Sequence, residues 1–154
     1  MIRATALLSL ASACLAASGP ALAADPGAFA HSTPAVSGYD VVSYQTGAKP
    51  LRGNGNHLAV HDGETYLFVD DDNRKVFLED PDRYVPAYGG YCAYGVAVGK
   101  KFVADPDVWR VVDGRLYLNL DNKIAQIWAE DVKGNIRKAD REWKEIENAD
   151  PASL

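Results

Sequence analysis

Cysteine, histidine and methionine are scarce in this 154-residue sequence, at two, three and one. One cysteine, Cys14, lies in an apolar leader, so Cys92 stands alone beyond it. A lone thiol forms no internal disulfide, and about 130 residues can bury a complete hydrophobic core without such staples. A Cys-x-x-Cys pair, a glycine-rich phosphate loop and a Ser-His-Asp order are all missing, so the chain lacks the sequence marks of dithiol exchange, P-loop chemistry and triad hydrolysis. Basic excess is missing too: 16 Lys and Arg stand against 21 Asp and Glu, a net charge of −5. An acidic chain is poorly suited to nucleic acid or an anionic membrane.

The apolar run at 4–17 follows Arg3 and is too short to span a bilayer. Gly19 and Pro20 break it, and Ala21-Leu22-Ala23 supplies the small residues of a cleavage site. Residues 1–23 therefore read as a signal peptide, which places the mature protein in the periplasm or outside the cell, with no membrane attachment after cleavage. Losing the leader removes Arg3 and no acid, making the chain one charge more acidic. An odd thiol in an oxidising compartment is a feature to explain.

Residues 24–36 are small and polar and read as a flexible lead-in, followed by a single domain over 37–150. In that domain, β-compatible residues 57–61, the turn Asp62-Gly63 and residues 64–69 predict a hairpin, with Tyr66 and Phe68 on one face. Asp71 or Asp72 is positioned to cap a helix that carries Asn73, Val76, Phe77 and Asp80 on one side and stops at Pro81. The plan recurs 51 residues later: 109–112, the turn Asp113-Gly114, 115–120, and a helix over 122–130. Tyr66 then matches Tyr117, Asp70 matches Asp121, and Phe77 matches Trp128. Duplication and convergence both account for this, since the turn and the cap are physically demanded. The expected fold class is α+β: two ββα units sharing a small antiparallel sheet, helices over one face, and a C-terminal helix at 136–148 with Ala139, Trp143 and Ile146 on its apolar stripe.

Between the units, residues 84–99 hold four tyrosines and four glycines. Glycines allow close backbone approach and tyrosines give amphipathic contact area, so Tyr88, Tyr91 and Tyr94 are candidates for the wall of a substrate-binding cleft. A short helix starting near Gly90 would set Cys92 in its first turn, where the helix terminus stabilises a thiolate. Cys92 is thus the candidate catalytic nucleophile; its other reading is a buried, inert small hydrophobe.

The runs Gly38-Tyr39-Asp40-Val41-Val42-Ser43-Tyr44, Val76-Phe77-Leu78-Glu79-Asp80-Pro81-Asp82-Arg83-Tyr84 and Gly89-Gly90-Tyr91-Cys92-Ala93-Tyr94 resemble the exported YHS-domain proteins, some of them selenoproteins. The likeness covers most of 36–143 and, more distantly, extends to the YHS and TRASH metal-associated modules. It implies selenium or sulfur chemistry at Cys92. It also implies cysteine ligands where this chain has Ser43, Val69 and Asn73, so the metal site of those modules is largely missing.

Three functions follow as expectations. The first is one-cysteine redox chemistry at Cys92 with an external thiol or redox partner. The second is a non-enzymatic module holding a soft metal ion, such as Cu(I) or Zn, through Cys92 and His57 or His61. Those two histidines share a strand face but lie roughly 13 Å apart along it, too far to bind one ion together. The third is a partner-binding domain in which Cys92 is structural.

Overall fold

The computed structural model describes residues 33–154; the leader, Cys14, His31 and most of the lead-in lie outside the described residues. The chain is α+β. Strands β1 (Asn54–His61) and β2 (Glu64–Phe68) form the first hairpin, followed by helices α1 (Asp71–Glu79) and α2 (Pro81–Tyr84). Helix α3 (Ala93–Ala97) precedes the second hairpin, β3 (Asp105–Val112) and β4 (Arg115–Asn119). Helices α4 (Asn122–Glu130) and α5 (Val132–Ile146) complete the order.

Local chemistry sets these boundaries. Asp62 and Gly63 have φ of 49° and 82°, and Asp113 and Gly114 have 51° and 79°. Both pairs make the left-handed two-residue turn whose twist matches a hairpin, a turn that Asp-Gly tolerates better than almost any other pair. The cap of α1 is Asp70, which accepts from the Asn73 backbone N–H, and not Asp71 or Asp72, which lie within the first turn. Asp121 does the same for α4 through the Ile124 N–H. Helix α5 begins four residues earlier than its apolar stripe suggests, because Asp131 caps it through the Gly134 N–H.

The two hairpins do not merge into one sheet; each is a separate two-stranded sheet. The reason lies at their edges. Pro34 bridges Thr65 on β2, and Cys92 bridges Leu118 on β4, so connecting segments pair where a further strand would have to. Residues 33–36, the end of the expected lead-in, are accordingly part of the fold.

The correspondence between the units is closer than the hairpins alone reveal. In both, a strand register runs regularly from the turn and then slips: His61↔Glu64 to Leu58↔Leu67, then Asn54↔Phe68; Val112↔Arg115 to Trp109↔Leu118, then Asp105↔Asn119. The slip is stabilised alike, by Asn54 Oδ1 accepting from Asn56 N and Asp105 Oδ1 accepting from Asp107 N. Upstream, Pro34-Ala35-Val36-Ser37-Gly38-Tyr39 matches Pro86-Ala87-Tyr88-Gly89-Gly90-Tyr91 at a spacing of 52, with φ of 50°, 52°, 80° against 57°, 59°, 80° at the three left-handed positions. Agreement in turn, register, slip and cap goes beyond what the hairpin alone demands, and favours duplication over convergence.

Each unit closes around an aromatic from its helix. Phe77, fully buried, packs on Tyr66 and Phe68 at centroid distances of 4.9 and 5.1 Å. Trp128, 1% exposed, packs on Tyr117 at 5.7 Å. Helix α5 adds its Ala139 and Ile146 stripe to the second core, with Trp143 packed alongside.

Candidate functional site

Cys92 occupies the cap position of α3, one residue before the helix. Its backbone N–H donates to the Phe102 carbonyl at 2.9 Å, and its carbonyl accepts from Val96 N. The sulfur is enclosed: the residue is 1% exposed. Sγ accepts from the Gly95 backbone N–H at 3.3 Å and lies 3.6 Å from Asn119 Oδ1, to which it donates. The same Asn119 oxygen accepts from Tyr94 N at 3.3 Å. Gly95 is crowded, since a Cβ there would lie 2.8 Å from the Phe102 ring and 3.3 Å from the Lys100 carbonyl. The thiol therefore sits in a closed joint between α3 and β4, with both its hydrogen-bonding roles used.

The position equivalent to Cys92 in the first unit is Asp40. Its backbone N–H donates to the Leu51 carbonyl at 2.9 Å, the counterpart of the Cys92 bond to Phe102. The Asp40 carboxylate, fully buried, accepts from Val42 N at 2.9 Å, Ser43 N at 3.3 Å, Val69 N at 3.0 Å and Asn73 Nδ2 at 2.7 Å. Ser43, Val69 and Asn73 are the three places where the resemblance to metal modules implies cysteines. They do converge in space, and here their donors converge on a carboxylate. Sequence reading missed Asp40. The signal was the repeated Pro-Ala-x-x-Gly-Tyr, which a fixed spacing of 51 skips because it recurs at 52.

The histidines are engaged elsewhere. His57 Nδ1 is 3.1 Å from Asp71 Oδ1, and His61 Nε2 is 3.2 Å from Asp82 Oδ1 and 3.4 Å from Asp62 Oδ2. Among the described residues, no group of three or more His, Cys, Asp or Glu side chains is placed to hold a metal ion.

The tyrosines divide. Tyr88 and Tyr91 line a cleft of about 500 Å³ between the two units, together with Tyr66, Trp143, His61 and Arg115. Tyr94 is not on that wall; it packs against the second core. Tyr88 is 2% exposed and holds a left-handed φ of 57°, uncommon for a residue with a side chain. Its hydroxyl donates to Asp140 Oδ1 at 2.9 Å, its ring packs on Tyr117 and Trp143 at 5.9 Å, and the Arg115 guanidinium lies 5.6 Å from its centroid. Lys101 backs the same wall: Nζ donates to the carbonyls of Glu147 and Ala149 at 2.7 and 2.8 Å and lies 5.4 and 5.3 Å from the Tyr91 and Trp143 centroids. An ammonium set on the carbonyl of Glu147, the cap of α5, and on that of Ala149 just beyond it satisfies groups left open where the helix ends.

Burial, and then Asp140, holds the Tyr88 hydroxyl far above the ordinary phenol range. Burial, followed by Glu64 and Asp62, pushes Tyr66 up to about 12. Both side chains are neutral near pH 7 and neither is poised as a base; the Tyr88 hydroxyl is already committed to Asp140. The cleft can therefore bind, through ring faces flanked by Arg115 and His61, while the thiol lies outside its wall. No protein-family model, curated protein or solved structure matches this chain.

Proposed function

We propose that the chain is an exported, YHS-like binding domain that receives its ligand or partner segment in the cleft walled by Tyr66, Tyr88, Tyr91 and Trp143, with Cys92 as a structural residue. The observation carrying this reading is the enclosed Cys92 sulfur, hydrogen-bonded to Gly95 and Asn119, beside a tyrosine-walled cleft that Cys92 does not line. Its counterpart Asp40 supports it further, because a carboxylate serves the same joint in the first unit. One-cysteine redox chemistry would need the sulfur to emerge, and a soft-metal site would need ligands that Asp71, Asp62 and Asp82 now engage.

Alkylation kinetics test the proposal. The thiol of the folded protein should react with iodoacetamide only as fast as the protein opens, equally with and without chelator, and rapidly in denaturant. Fast labelling of the folded state that titrates below the ordinary thiol range would restore the redox reading. Labelling released by chelator, and lost in His57→Ala or His61→Ala, would restore the metal reading. Export is checked separately by the intact mass of the protein recovered outside the cytoplasm.

A further inference from the structure

The duplicated unit provides an internal control for every surface of the second half. One cavity is lined at every position by a residue that differs from its match in the first unit. It has a volume of about 360 Å³ and lies between β3, β4 and α4. On its strand side, Trp109, Arg110 and Asn119 stand where the first unit has Leu58, Ala59 and Phe68. From the helix, Trp128 replaces Phe77. Each of these four exchanges puts an N–H donor where the first unit is apolar.

The helix side changes in a complementary way. Ala125 and Ala129 stand in place of Arg74 and Leu78, which removes bulk and opens the space. Asn122 stands in place of Asp71, which removes the carboxylate, and Gln126 replaces Lys75. In the first unit both helix cations are matched internally, Arg74 by Asp71 at 3.1 Å and Lys75 by Asp72 at 3.3 Å. Arg110 has no carboxylate partner among the described residues. The Trp128 indole N–H is buried with no hydrogen-bond partner. A buried donor left open is uncommon and calls for an acceptor. The Asn119 oxygen is already taken by Cys92 and Tyr94, so its remaining capacity is that of a donor.

We propose that this cavity is a binding site for a small aromatic carboxylate, its oxyanion meeting Arg110 and the amide and indole donors, and its flat body filling the space that Ala125 and Ala129 leave beside Trp128. Donors, one unpaired guanidinium and an aromatic side chain, with no acid in the lining, fit a flat anion and disfavour a cation. The site is distinct from the cleft proposed above and stands or falls independently of it.

The test uses the three indole N–H signals of the ¹⁵N-labelled mature chain, with benzoate as probe and benzylamine as a control of the same body and opposite charge. Benzoate should move the Trp128 signal saturably and leave Trp143, which faces the other cleft, in place. Arg110→Ala, which installs the residue of the first unit at an exposed position, should weaken binding about tenfold or more. Benzoate that fails to saturate, benzylamine that moves the same signals equally, movement confined to Trp143, or an R110A protein that binds benzoate as tightly as the parent would each overturn the proposal.

Discussion

The two ββα units share a backbone and differ in what fills it. Residues that dictate φ or end an element recur: Pro34 with Pro86, Gly38 with Gly90, the Asp-Gly turns, and the caps Asp70 and Asp121. Side chains inside the frame are free to change, and the joint at Asp40 and Cys92 shows how far. In the first unit a carboxylate gathers four N–H donors from three segments; in the second a thiol accepts one, and Asn119 reaches in from β4 to serve both Cys92 and Tyr94. The lesson is that the joint requires an acceptor just after the Gly-Tyr turn, and its chemistry follows from which neighbour supplies the rest.

The largest effects should come from the aromatic that closes each core. Phe77→Ala and Trp128→Ala should each cost about 3–5 kcal/mol by denaturant unfolding. Equal losses would mean equal packing; a loss below about 1.5 kcal/mol for either would break the equivalence of the units. The joint comes next. Asp40→Ala leaves three donors, Val42 N, Val69 N and Asn73 Nδ2, without their acceptor and should cost about 3 kcal/mol or more, whereas Cys92→Ala should cost about 1 kcal/mol, since it frees only one N–H. Equal costs would contradict the account of the two joints.

Caps should matter less and alike: Asp70→Ala and Asp121→Ala are expected to lose about 1 kcal/mol each, with Asn at either site recovering most of it. The smallest and most conditional effect concerns pH. Tyr66 is held up to about 12 by burial and by Glu64 and Asp62, and Tyr117 is also raised, chiefly by burial. The unfolded chain therefore loses these protons first, from about pH 10, so stability should fall as pH rises between 10 and 12 and be unaffected below that window. Tyr66→Phe should remove part of this alkaline loss. An unchanged alkaline midpoint would show that Tyr66 does not contribute to it.

Much of this architecture was legible in the residues because it is local. Asp62-Gly63 and Asp113-Gly114 force their turns through φ alone, and Phe77 and Trp128 fall inward by helical spacing and size. The expected cap of α1, Asp71 or Asp72, falls one or two residues too late because Asp70, Asp71 and Asp72 are adjacent, and the backbone angles at Asp70, φ −153° and ψ 178°, identify the one outside the helix. The Gly-Tyr stretch is visible as a cleft-former, yet of its tyrosines Tyr88 and Tyr91 line the cleft and Tyr94 does not.

Turn chemistry, capping and periodicity act over a few residues, so the two hairpins and their following helices can be read from the chain alone. Which segments meet emerges on folding. Pairing of Pro34 with Thr65 and of Cys92 with Leu118 keeps the hairpins apart as two sheets. Asp40 gathers donors 29 and 33 residues away, and Cys92 reaches Asn119 across 27. Such contacts depend on chain closure over long separations, which no local pattern encodes, and they determine whether the Cys92 thiol faces solvent or a hydrogen-bonded interior.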